Sequence, residues 1–278
     1  MTSSSAPDLA VIGGTGFYTF LDGAGLDDPE EYVVETPYGK PSAPIAVGTV
    51  EGGRRVAFLP RHGRHHEFPA HKVNYRANLW ALRSIGVRQI LAPCAVGGLQ
   101  AERGPGSFVV PDQIFDRTTD RIQTFYDDGA VHVSFADPYC ARLRGALLDG
   151  LSDDNPEDGG TLVVIDGPRF STRAESRWYS EQGWSIIGMT GHPEAILARE
   201  LALCYATVAL VTDLDAGVDE ATAVSHAEVL EVFSQYTERL RGLLRTVATS
   251  VEGDVDCACT HALDGLELPF DLPGSGAT

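Results

Sequence analysis

The strongest constraint on this chain is a recurring alternation. Short apolar, β-branched runs end in glycine- or proline-bearing turns and give way to stretches of helical periodicity. The runs are Leu9–Ile12, Pro44–Val50, Val56–Leu59, Gln89–Ala92, Thr161–Ile165 and Tyr205–Thr212, and their length and composition mark them as strands. Between them, Lys72–Ile85 places Val73, Ala77, Trp80, Ala81 and Leu82 on one broad face. His192–Leu203 opens with Pro193, suited to a first helical position. Ser225-His226-Ala227-Glu228 is a capping box, followed at helical spacing by Val229, Leu230, Phe233, Tyr236, Leu240, Leu243 and Leu244. Strands alternating with helices predict an α/β fold, a three-layer sandwich around a mixed, largely parallel central sheet. Ligands of such sheets collect in loops beyond the strand ends. With no internal repeat and no dividing linker, residues 1–278 are expected to form one domain. Its core is expected over about 8–250, with a C-terminal tail over 253–278 that is poorly ordered at its end.

Charge narrows the function. Lys and Arg total 21 against 39 Asp and Glu, a formal charge of −18. That field repels nucleic acid and anionic membranes, so neither is expected as a partner. It also repels phosphate, so a phosphate site here has to be assembled locally from backbone amides and a few Arg or His side chains. No run approaches the roughly 18 apolar residues of a membrane span. Met1 to Asp8 is Ser-rich without a basic n-region, so a cytoplasmic protein is expected. The cysteines Cys94, Cys140, Cys204, Cys257 and Cys259 are odd in number and mostly scattered, as reduced thiols are.

Several turns carry polar chemistry. Val11-Ile12-Gly13-Gly14-Thr15-Gly16 delivers a glycine turn from a buried strand, where backbone amides and the Thr15 hydroxyl can approach an anion. No Gly-Lys-Ser/Thr follows, and the third glycine of a dinucleotide fingerprint is missing; a plain structural turn fits equally well. Pro60-Arg61-His62-Gly63-Arg64-His65-His66, with His71, forms a cationic island. Arg61 can grip phosphate in bidentate fashion and His62 can donate to it. A solvated basic loop is the bland reading, and a metal cluster lacks the carboxylate or cysteine that would complete a zinc spacing. Ala92-Pro93-Cys94-Ala95-Val96-Gly97-Gly98 ends an apolar run in a turn, and Gly188-Met189-Thr190-Gly191 leads into a helix N-terminus that favours an anion. Phe170, after Gly167-Pro168-Arg169, can pack on a purine or simply fill the core. Asp213 and Asp215, at spacing two beyond an apolar run, can read an exocyclic amine and hand a proton to a ring nitrogen; alone they would read as a solvated turn.

In their order and spacing these segments resemble the methylthioadenosine phosphorylase branch of the trimeric purine nucleoside phosphorylases, from about Val11 to Val232. The carriers are Gly13-Gly14-Thr15-Gly16, Thr36-Pro37-Tyr38-Gly39-Lys40-Pro41-Ser42, Arg61-His62-Gly63-Arg64, Val73-Asn74-Tyr75-Arg76-Ala77-Asn78, Asp116-Arg117-Thr118-Thr119, Gly167-Pro168-Arg169-Phe170-Ser171, Met189-Thr190 and Thr212-Asp213-Leu214-Asp215. The resemblance implies a nucleoside phosphorylase-like fold and phosphorolysis of 6-aminopurine nucleosides. The expected substrates are S-methyl-5′-thioadenosine and adenosine, yielding adenine and the pentose 1-phosphate. It implies inorganic phosphate as co-substrate and no metal or organic cofactor. Thr15, Arg61, His62, Ala95 and Thr190 match phosphate-binding positions, as does Cys94, where relatives often carry a hydroxyl or amide. Met189 matches the residue that holds the ribose hydroxyls, and Phe170 one that lines the base. Asp213 and Asp215 match the acidic pair that reads the 6-aminopurine, with Asp213 supplying or sharing the N7 proton. His132 matches a position that reaches a neighbouring subunit's site, so a homotrimer, or a trimer doubled to a hexamer, is expected.

Two departures qualify the match. His226 falls where mammalian methylthioadenosine enzymes carry a small apolar residue near the 5′-group, whereas a histidine there bonds a 5′-hydroxyl in 6-oxopurine enzymes. Cys257-Ala258-Cys259 followed by His261 looks like the Cys-x-Cys of some hexameric microbial relatives, a stabilising or redox pair or part of a metal site. In a reducing compartment two free thiols are expected. The alternatives are a 6-oxopurine phosphorylase, against which the Asp213/Asp215 pair argues, a dinucleotide-dependent dehydrogenase, and a non-catalytic nucleoside-binding trimer.

Overall fold

The computed structural model describes residues 6–14, 26–218, 225–253 and 256–274. Thr15 and the side chain of His226 lie outside the described residues. The first elements are β1 (Leu9–Gly13), β2 (Asp27–Tyr32), β3 (Ile45–Val50), β4 (Arg54–Pro60), α1 (Tyr75–Ser84), β5 (Gln89–Leu91), β6 (Cys94–Gly98), β7 (Phe108–Val110) and β8 (Gln113–Asp116). There follow α2 (Ala141–Gly150), β9 (Glu157–Asp158), β10 (Thr161–Val164), α3 (Arg173–Glu181), β11 (Ile186–Gly188), α4 (Gly191–Glu200), β12 (Cys204–Ala206), β13 (Ala209–Leu214) and α5 (His226–Ser250).

Strand β1 shows why the apolar runs had to be covered on both sides. Successive side chains of a strand point to opposite faces. Leu9 and Val11 join a core that includes Leu143 and Leu147 of α2 and Leu240 and Leu244 of α5. Ala10 and Ile12 join another with Leu79 and Leu82 of α1 and Leu197 and Ala198 of α4. Helices therefore flank the sheet on both faces, the layered α/β arrangement expected. One sheet runs β12-β5-β1-β4-β3-β2, the other β8-β10-β11-β6-β13-β7-β9. Parallel pairs (β1 with β4 and β5, β13 with β6) are mixed with antiparallel ones, such as β3 with β4 and β11 with β6.

The expected single strand Tyr205–Thr212 is in fact two. β12 belongs to one sheet and β13 to the other, with Thr207 and Val208 between them. Its neighbour is interrupted at the same level, because Pro93 has no amide to offer a ladder. The Ala92 amide still donates to the Ala206 carbonyl at 2.9 Å and the Cys94 amide to Val208 at 3.0 Å. The two sheets are thus joined through a bend, and the turns that carry the polar motifs cluster beside it.

Helix α5 begins at its predicted cap, and α1 begins three residues inside the expected Lys72–Ile85 stretch. Asn74 accepts from the Ala77 amide at 3.2 Å ahead of α1, and Ser225 accepts from the Glu228 amide at 3.2 Å ahead of α5. In α4 the backbone of His192 is extended, so regular turns begin at Pro193. The apolar stripe of α5 splits: Phe233, Leu240, Leu243 and Leu244 are buried, whereas Leu230 is 39% exposed. The tail is held to the core as far as Gly274, whose carbonyl accepts from Arg88 at 3.1 Å. Phe270 packs against Trp80 and Tyr126. Among the described residues no helix is long and apolar enough to cross a membrane.

Candidate active site

Strand β6 forms the floor of a cleft of about 280 Å³. The loops after β4, β10 and β11, the end of β13 and the first turns of α5 supply its walls. Of the residues singled out from sequence, Arg61, His62, Cys94, Ala95, Phe170, Met189, Thr190, Asp213 and Asp215 all line it. His132 does not; it is exposed on the long segment between β8 and α2. Gly14, next to the undescribed Thr15, also lines the cleft.

At the Cys94 end sits Arg61, only 1% exposed. Its Nε donates to Glu194 Oε1 at 2.7 Å and its Nη2 to Glu194 Oε2 at 3.1 Å and to the Ile12 carbonyl at 3.2 Å. A bidentate grip on phosphate through these nitrogens is therefore excluded, because Glu194 already holds them. Only Nη1 is left for the cleft. It makes one long contact to the Pro93 carbonyl, 3.5 Å, and stands 3.1 Å from where a Cβ on Gly14 would be, so glycine there keeps the approach open. Burial works against the guanidinium charge, but Glu194 more than offsets it and holds the Arg61 pKa above the ordinary arginine value. Burial raises that of Glu194, with Arg61 opposing. The forked contact is that of an ionised pair.

The cationic island divides at Gly63. Arg61 and His62 are buried, while Arg64, His65 and His66 are exposed. His62 Nδ1 lies 2.8 Å from the Phe68 carbonyl. A carbonyl only accepts, so Nδ1 carries the proton. Burial, and then Arg61, push the His62 pKa down to about 4. The neutral ring therefore carries its lone pair on Nε2, and donation to phosphate from that nitrogen requires a second proton. Burial pushes the Cys94 thiol up to about 12, leaving it neutral. Thr190 is the N-cap residue of α4, and its side chain makes no capping bond.

The middle of the cleft depends on two residues with no assigned role in the sequence reading. Arg121 donates through Nη1 to the Met189 carbonyl at 2.9 Å and the His192 carbonyl at 2.6 Å, and through Nη2 to the Ile165 carbonyl at 3.1 Å. It thereby fixes two cleft loops to each other. Gly167 has φ +69°, and a Cβ there would meet Met189 Sδ at 2.5 Å; only glycine tolerates both demands. Gly167 opens the Gly167-Pro168-Arg169-Phe170-Ser171 motif, whereas Arg121 lies outside every motif singled out from sequence.

At the Gly97 end are the two aspartates. The β13–β6 register shifts between Val211 and Asp213, a bulge that re-aims the strand end. A Cβ on Gly97 would come within 3.1 Å of Asp213 Oδ2 and 3.4 Å of Asp215 Cβ. Thr212 donates to Asp213 Oδ1 at 2.8 Å. Burial raises the Asp213 pKa to about 6, the Thr212 hydroxyl pulling it back and the Asp215 charge adding to it. Burial likewise raises Asp215, opposed by the Ser176 hydroxyl. Asp215 is 2% exposed; the Ser171 hydroxyl, also on the cleft wall, lies near enough to oppose the rise as well, but neither it nor Asp215 Oδ2 makes a hydrogen bond of good geometry. Phe170, 36% exposed on that wall, is no core aromatic. Val229, Leu230 and Phe233 of α5 complete an apolar side.

Residues 8–249 match the sequence model of the phosphorylase superfamily. The chain is 56% identical to the S-methyl-5′-thioadenosine phosphorylase of Mycolicibacterium smegmatis, over 95% of this chain and 99% of that one. It is 54% identical to a purine nucleoside phosphorylase of Streptomyces coelicolor, over 98% and 100%. Among solved structures it is similar to a methylthioadenosine phosphorylase sourced from an Antarctic soil metagenomic library, with TM-score 0.86 and 39% identity over 94% of this chain and 92% of that one. It is also similar to the methylthioadenosine phosphorylase of Schistosoma mansoni in complex with adenine, with TM-score 0.81 and 37% identity over 88% and 91%.

Proposed function

The chain belongs to the phosphorylase superfamily, in its methylthioadenosine phosphorylase branch, and from that premise we propose how its cleft carries out phosphorolysis of 6-aminopurine nucleosides. The observation that carries the reading is the sharing of one cleft by Arg61 and the Asp213/Asp215 pair. Strand β6 spans the distance between them. An extended strand rises about 3.3 Å per residue, so Cys94 and Gly97 stand roughly 10 Å apart, room for a phosphate, a ribose and the near edge of a purine.

In this reading phosphate sits between Arg61 Nη1, the start of β6 at Cys94 and Ala95, and Thr190 at the start of α4; Thr15, matched to the same role, lies outside the described residues. Met189 lies under the sugar, and Phe170 lies against the base. The glycosidic bond breaks as positive charge develops on the sugar and negative charge on the purine. Phosphate stabilises the cation and then attacks the anomeric carbon, an effect of position and charge rather than of a covalent enzyme intermediate. Asp213, whose raised pKa eases its protonation, donates toward N7 in its protonated form, and Asp215 accepts from the 6-amino group. The apolar side formed by Val229, Leu230 and Phe233 faces the 5′-substituent and favours a methylthio group, with adenosine turned over alongside. The reaction as drawn uses phosphate as co-substrate and no cofactor. In a homotrimer, His132 would reach the cleft of the adjacent subunit.

The test is to incubate the protein with methylthioadenosine, adenosine, inosine and guanosine, with and without phosphate, and to measure free base and sugar 1-phosphate. Adenine should be released only when phosphate is present. Release of base without phosphate, or inosine turnover equal to that of adenosine, overturns the reading.

A further inference from the structure

We propose that Cys140, Cys204, Cys257 and Cys259 form a four-thiolate site for one zinc ion, which fastens the C-terminal segment to the body of the protein. The sequence scatters these residues, yet their four Sγ atoms all lie within 4.8 Å of one another. A tetrahedral zinc with bonds of about 2.3 Å holds its sulfurs roughly 3.8 Å apart. The cluster therefore needs small adjustments only, the Cys204–Cys257 pair opening somewhat from 3.2 Å.

The ligands come from three separate parts of the chain. Cys140 is the N-cap residue of α2, Cys204 opens β12, and the other two lie beyond α5. The first two are already fixed relative to each other, since the Cys140 amide donates to the Tyr205 carbonyl at 2.8 Å. Cys257 and Cys259 sit in consecutive tight turns, where the amides of Thr260 and Ala262 donate to their carbonyls at 2.9 and 3.3 Å. Three of the four are buried and Cys257 is half-buried, which leaves an entry path. His261 does not join them, because its two ring nitrogens face Asp256 at 2.6 Å and Asp264 at 2.8 Å. The donor set is purely thiolate, which selects a soft ion such as zinc over magnesium or calcium.

Binding releases four thiol protons per divalent ion and leaves a centre of charge −2. Two features of positive sign surround it. Arg199 Nη2 stands 4.0 Å from Cys259 Sγ, and the N-terminus of α2 begins at Cys140. Two disulfides would need the sulfurs sorted into pairs, whereas here each lies within reach of the other three. None of the four lines the cleft, so this site and the phosphorolysis reading stand or fall separately.

The experiment measures metal in tag-free protein purified anaerobically with a thiol reductant and then gel-filtered. Elemental analysis should find about one zinc per chain, released to a chromophoric chelator on titration with an organomercurial. Cobalt(II) replacement should give the visible bands and near-ultraviolet thiolate charge transfer of a tetrahedral tetrathiolate. Cys257→Ser combined with Cys259→Ser should lose the metal and open the C-terminal segment to protease, while phosphorolysis persists. A metal-free wild-type protein overturns the proposal, whether its denatured chain shows five titratable thiols or thiols missing in pairs as disulfides. So does zinc that remains in the double variant. Should that variant fail to fold, wild-type stoichiometry and the cobalt spectrum decide by themselves.

Discussion

The two ends of β6 solve opposite electrostatic problems. At Cys94 a buried guanidinium is matched inside the protein by Glu194, with three nitrogen–oxygen contacts of 2.7 to 3.2 Å. At Gly97 a half-buried and a buried carboxyl group lie close together with no ion pair to either among the described residues, and Asp215 Oδ2 makes no hydrogen bond of good geometry. The first end is settled by folding. The second is left to a proton or a ligand. On the proposed function the difference teaches that the end assigned to phosphate selects by geometry, since its net charge is close to zero, whereas the end assigned to the purine selects by unmet hydrogen-bonding demand. A site with an unsatisfied buried acceptor rejects a ligand that cannot donate to it far more strongly than one lacking a methylene.

The largest expected effect comes from unmatching the first end. Glu194→Ala leaves Arg61 charged, buried and alone, and removing one partner of such a pair costs about 3–5 kcal/mol. Urea unfolding checks this; a loss below about 1 kcal/mol would mean that the pair adds no more than a surface ion pair does. Glu194→Gln sharpens the point. It retains an acceptor but restores net positive charge beside the cleft, so phosphate KM should drop even as stability falls. An unchanged phosphate KM would show that Glu194 does not set the charge the anion meets.

The second end is tested by Asp213→Asn. Loss of the proton donor should lower kcat/KM for adenine nucleosides by roughly a hundredfold, the low end of general acid catalysis, with inosine affected less. Steady-state kinetics on both substrates decide it. An unaltered ratio removes Asp213 from the proton's path.

The same contrast explains what the sequence could disclose. Asp213, Arg61, Met189 and Phe170 lie in short motifs at the ends of apolar runs, and the family resemblance those motifs carry implied that they share one site. The cap at Ser225 and the strand character of Leu9–Ile12 were equally legible, because capping and strand composition are local properties. The partners that give those residues their state were not. Glu194 lies 133 positions from Arg61, Arg121 reaches its carbonyls across 44 to 71, and Cys204 meets Cys257 across 53. The break of Tyr205–Thr212 into two strands is likewise dictated by the neighbouring Pro93 and leaves no mark in its own apolar composition. Local chemistry is written locally; charge compensation is a property of the folded contacts.

The smallest effect, and the most direct measure of unmet demand at the purine end, is on stability against pH. Asp213 has a pKa near 6 in the folded protein, against about 4 in an unfolded chain. Between those values the folded state binds the extra proton. The contribution of this group to stability is therefore complete below about pH 4 and is lost as the pH rises through about 6. A displacement of about two units corresponds to on the order of 2 kcal/mol once partial exposure is discounted. Asp213→Asn does not titrate and escapes the loss. In the absence of ligand it should unfold later than the parent above pH 6, and the two curves should converge toward pH 4. Because both proteins share every other carboxyl group, including Asp215, the difference between their melting temperatures isolates this one. A difference that stays constant from pH 4 to 8 would mean that Asp213 is ionised throughout, and that the purine end, like the phosphate end, has its charge matched before any ligand arrives.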